Sequence, residues 1–69
     1  MENFLVSYET LTGENLTSEW FFDFNALQVF MASILGFSNS AKVMKFANGK
    51  MVGTSEVFAD TENETWAKK

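Results

Sequence analysis

The hydrophobic period of this chain changes to that of a helix only between Asn25 and Leu35. Leu27, Phe30, Met31, Ile34 and Leu35 fall at i, i+3, i+4, i+7 and i+8, the stripe of an amphipathic helix with one face on a core. The other apolar segments alternate, as strands do. One helix must therefore cover whatever sheet the remaining residues build, and a single helix covers a single sheet face. The flanking residues fit a helix of this extent. Asn25 is placed to cap it, with Gln28 at the capping-box position and Phe24 and Val29 at the staple positions. Gly36 is placed to take the left-handed conformation after the last turn, with Phe37 folding back on it.

On the N-terminal side, residues 4–11 read FLVSYETL and set Phe4, Val6 and Tyr8 against Leu5, Ser7, Glu9 and Leu11, the pattern of a strand. The turn formers Thr12-Gly13-Glu14-Asn15 follow, and residues 16–22, LTSEWFF, give a second strand and a first hairpin. On the C-terminal side, residues 41–47, AKVMKFA, then Asn48-Gly49, then residues 50–58, KMVGTSEVF, predict a second hairpin with a type I′ turn. A two-residue loop sets Phe46 against Met51, Lys45 against Val52 and Met44 against Gly53. It gathers Met44, Phe46, Met51 and Val57 on one face, the expected seat of the helix, where Gly53 makes room for a ring. Residues 59–69, ADTENETWAKK, are polar and are expected as a C-terminal tail or short helix with Trp66 pinned to the body. The expected fold is thus α+β: one small domain over residues 1–58, in ββαββ order, with a four-stranded antiparallel sheet and one helix packed on one face. Which strands join the two hairpins stays open at this point.

The residue types exclude several chemistries. With no cysteine and no histidine among 69 residues there is no disulfide, thiolate zinc site or imidazole ligand. Asp60, Glu62 and Glu64 lack the glycine and the distal glutamate of a calcium loop, so neither a metal nor a cofactor is expected. Histidine and cysteine are also the usual groups tuned for catalysis near neutral pH. Glu19 and Asp23, with Glu9 on the neighbouring strand, could form carboxylate pairs, but a chain this short rarely builds the cleft such a pair needs. No enzymatic role is expected.

Charge is unevenly distributed. Residues 1–37 carry Glu2, Glu9, Glu14, Glu19 and Asp23 and no base, residues 38–55 carry only Lys42, Lys45 and Lys50, and the whole chain has a net charge of −4. No basic surface matches a phosphate backbone, so direct nucleic-acid binding is not expected. The longest apolar run is far too short for a membrane span, and no basic, apolar and cleavable leader is read at the N-terminus. A cytoplasmic location follows as the expectation.

Two features point towards binding. For a chain of this size the burial of apolar surface roughly cancels the entropy of ordering it, and small domains without staples are commonly supplemented by a partner or by self-association. In addition, the chain holds eleven aromatic rings, and the run Ser18-Glu19-Trp20-Phe21-Phe22-Asp23-Phe24 puts large rings on both sides of a strand. The rings that the helix cannot reach are candidate partner-binding residues: Trp20, Phe22 and Tyr8, with Glu9, Glu14, Glu19 and Asp23 as acids that meet a basic patch or solubilise the surface. In size and composition the chain resembles the short, acidic, cysteine-free proteins of phages and mobile elements, without a motif in common. The expected function is a small acidic protein-binding module that inhibits or modulates a host protein by steric binding. Two alternatives stand beside it. One is an assembly module that forms a homo-oligomer, a dimer first, through its aromatic sheet face. The other is a DNA mimic whose acids, Glu2 included, occupy a basic groove.

Overall fold

A computed structural model describes residues 1–68. Strand β1 (Glu2–Thr10) turns through Gly13, at φ 89°, into the short β2 (Asn15–Thr17). Helix α1 (Phe24–Ile34) runs on through a single 3-10 turn, Leu35–Phe37, into β3 (Ser38–Ala47). The chain then continues through β4 (Lys50–Asp60) and β5 (Thr65–Lys68). The sheet has five strands in the order β2-β1-β3-β4-β5, and every pairing is antiparallel. The α+β class, the single helix and the antiparallel sheet agree with the sequence. Four strands were expected, and the fifth comes from the segment expected as a tail or short helix.

β1 lies against β3, so the two hairpins join through their first strands. The sheet then sorts into two faces. Phe4, Val6 and Tyr8 share one with Val43 and Ala41 of β3 and Val57 of β4, and α1 packs there. Its core is Phe4, Val6, Leu27 and Ala41, with Val6 wholly buried. Edge-on ring contacts bind helix to strand, Phe24 to Phe4 at 6.0 Å and Phe30 to Tyr8 at 5.7 Å.

The helix therefore sits opposite to Met44, Phe46 and Met51 while Val57 and Gly53 lie on its side as expected, and a β-bulge is the reason. Lys45 pairs with Gly53 but Phe46 pairs with Met51, which leaves Val52 as an extra residue. Past it Met44 meets Thr54 instead of Gly53, and Val57 moves to the face away from Met44. The small residues Ala41, Gly53 and Ser55 then share the face where β1 is apolar, which leaves room for a helix. On the other face β1 presents Asn3, Ser7 and Glu9 beside Leu5, a poorer seat. The turn itself is as expected, with Asn48 at φ 53° and Gly49 at φ 80°, both signs required by type I′.

Helix ends also differ from expectation. Asp23, not Asn25, is the cap: its Oδ1 accepts the Asn25 N–H at 2.8 Å from an extended backbone. At the other end Leu35 is right-handed and Gly36 has no positive φ, so no left-handed cap forms. The 3-10 turn tightens the chain directly into β3 instead.

Candidate protein-binding face

Strand β2 is only three residues long, yet the aromatic run after it stays on β1. Val6 accepts the Ser18 N–H at 2.8 Å, the Ser18 hydroxyl accepts the Val6 N–H at 2.9 Å, and Phe21 pairs with Phe4 as an isolated bridge. The bridge sets the faces of the run. Phe21 shares the helix side with Phe4, and its ring lies 5.1 Å from that of Phe30. Trp20 turns to the opposite side, where its ring meets Phe46 edge-on at 5.0 Å and 73°. No helix covers this side.

On that face Phe46 pairs with Met51 and Leu5 with Met44, which places Phe46 and Met51 at the Trp20 end, while Phe58 pairs with Ser40 six residues farther along β3. Trp20 remains 46% exposed, Met51 53% and Phe58 41%. The polar pair Lys42 and Glu56 lies between the Phe46 end and Phe58. Scattered exposed apolar residues are ordinary, whereas Trp20, Phe46 and Met51 sit together, and aromatic and methionine side chains are enriched in interface cores.

The other candidate residues are spread more widely. Phe22 is exposed and lines a shallow recess with Met1, Phe4 and Phe24 at the helix–sheet junction, apart from the Trp20–Phe46 pair. Tyr8 is half-buried on the helix side against Phe30. Glu9 accepts a hydrogen bond from Asn39 Nδ2 at 3.0 Å, and Glu14 sits in the β1–β2 turn within 3.5 Å of the Thr12 hydroxyl. Glu19 is exposed between Ser18 and the Phe21 bridge, and Asp23 is held as the helix cap. Residues 14–21 run antiparallel beside β1, so Glu14 and Glu19 lie along its outer edge, whereas Glu9 is on β1 itself and Asp23 at the helix start. Among the described residues no three His, Cys, Asp or Glu side chains are grouped to hold a metal, and no helix is long and apolar enough to cross a membrane.

Phe46, Met44, Met51 and Phe58 were absent from the sequence-level candidates. Phe46 and Met51 are cross-strand partners in the expected hairpin, but that register placed them under the helix. The signal that could have moved them is the Gly53 beside Val52, since a glycine inside a strand often marks a bulge. No protein-family model, curated protein or solved structure matches the chain.

Proposed function

We propose that this chain is a small acidic protein-binding module that engages its partner through the sheet face opposite α1 and performs no catalysis. The observation that carries this reading is the Trp20–Phe46 pair, half-open to solvent on a face without a covering layer. Large rings with methionines beside them supply most of the binding energy at protein interfaces, and they are costly to leave in water. The setting in which the reading fits best is that of a phage or mobile-element product in the host cytoplasm. It would inhibit or modulate a host protein by occupying it. The small size, the acidic composition and the lack of catalytic groups support that setting.

Capture of the partner from bacterial lysate, followed by titration of the purified pair, tests the proposal. Trp20→Ala is expected to weaken the complex by about 2 kcal/mol, roughly thirtyfold, with little change between low and high salt. Unchanged affinity would remove the face from the interface. Two other outcomes would reassign the protein. A shift in oligomeric state on the same substitution, with no heterologous partner captured, would make the face a self-assembly surface. Steep salt dependence with displacement by duplex DNA would transfer function to the acids along β1.

A further inference from the structure

Helix α1 lies unevenly across its sheet face. Its ring contacts fall on β1 and on Phe21, while between the helix and β4–β5 a groove of about 440 Å³ stays open. That volume is within the range of about 300–1,000 Å³ seen for small-molecule sites. Phe24 and Met31 form the helix wall, Val43 and Val57 the floor, and Trp66 the wall on β5. The indole of Trp66 is fixed in place, because its Nε1–H donates to the Met31 carbonyl at 2.8 Å. That carbonyl lies near the C-terminal end of α1. A half-buried, anchored ring therefore faces an apolar groove.

The electrostatics of the groove are one-sided. Among the described residues lining it, Glu64 is the only ionisable one. It stands at the rim beside Trp66, with its backbone held at φ 54°, a left-handed conformation that a glutamate rarely adopts. The groove continues over Gly53 and Ser55 into a smaller recess of about 250 Å³ that reaches Lys45. The Lys45 ammonium is already matched by the Glu2 carboxylate at 2.9 Å. Among the described residues the charge without an ion-pair partner thus lies at the Glu64 end, next to the Trp66 indole, and a carboxylate and an aromatic ring both attract a cation.

We propose that this groove binds a small organic cation with an apolar or aromatic body, the body laid over Val43 and Val57 against Trp66 and its ammonium directed to Glu64. The site is on the helix side of the sheet, independent of the face assigned to a protein partner. Neutral and anionic ligands of the same shape fill the same apolar volume without the charge contact, so the amine is preferred over them.

Titration of the full ¹⁵N-labelled chain with tryptamine, and separately with indole-3-propionate, tests this by two-dimensional NMR. The indole resonances of Trp66 and Trp20 distinguish the groove from the opposite face. Tryptamine is expected to shift Trp66 and the Glu64 amide saturably in the millimolar range, with indole-3-propionate severalfold weaker. Glu64→Gln is expected to lower tryptamine affinity about two- to fivefold, the effect of losing one exposed charge pair. Glu64→Asn should do the same while relieving the left-handed backbone, so a change caused by turn geometry alone would separate the two variants. Equal binding of the two probes, unchanged affinity in both variants, shifts centred on Trp20, or no saturable shift by about 10 mM would each overturn the proposal.

Discussion

Ser38 is 1% exposed, and its hydroxyl has no hydrogen-bond partner among the described residues. A buried hydroxyl without a partner costs about 1–3 kcal/mol in lost hydration, so this side chain opposes folding. Ser38→Ala is expected to raise stability by about 1 kcal/mol in urea denaturation, and an equal loss would show that the hydroxyl is bonded in solution. Ser18 has the opposite role. Its hydroxyl accepts from the N–H of Val6, a residue with no exposed surface, at the point where β2 stops supplying backbone partners. Neither serine was legible in the sequence. Their roles follow from which strand ends beside them, and serine is compatible with loop, strand and cap alike.

At the scale of elements, β5 is the segment least foreseen and the one most open to a simple test. The turn that delivers it is held by Asp60, whose carboxylate accepts the Asn63 Nδ2–H at 2.8 Å and the Asn63 backbone N–H at 3.3 Å. The Asn63 side chain first, and then its backbone N–H, hold the Asp60 carboxyl below its usual value of 3.8. Because the folded pKa is depressed, the turn's contribution is present above the unfolded value and lost as pH falls through the folded one. Protection of the β5 amides relative to those of β3 should therefore decline as pH is taken below 3.8, and Asp60→Asn should abolish that decline. A measured Asp60 titration at or above the usual value would contradict this. Asp23 shows why a candidate contact residue needs its structural role known first: replacing this cap would cost about 1 kcal/mol of helix stability whether or not a partner touches it.

For the whole molecule, cooperativity runs through the centre of the sheet. β1 and β3 pair along nearly their full lengths, whereas β2 has three residues and β5 four. The buried core also belongs to β1, β3 and α1. Native-state hydrogen exchange should find the slowest amides in β1 and β3 and the fastest in β2 and β5. Slow exchange throughout β5 would mean that Trp66 ties this edge into the core more strongly than its four-residue ladder implies.

The sequence by itself determined the elements whose causes are local. The stripe from Leu27 to Leu35 makes the helix, Asn48-Gly49 makes the hairpin turn, and the alternation of Phe4, Val6 and Tyr8 makes β1. It also determined that one helix leaves one sheet face uncovered, and it singled out Trp20 as a ring to look for there. Only the tertiary structure decided which face that is. A single bulge at Val52 put Met51 and Val57 on opposite faces, because strand side chains alternate with a period of two and one extra residue exchanges the faces. The fifth strand was decided in the same way. Residues 65–68 have no marked strand pattern, and they join the sheet because the edge of β4 offers unpaired backbone groups and Met31 offers a carbonyl to Trp66. Such partners are distant in sequence, so local patterning does not encode them.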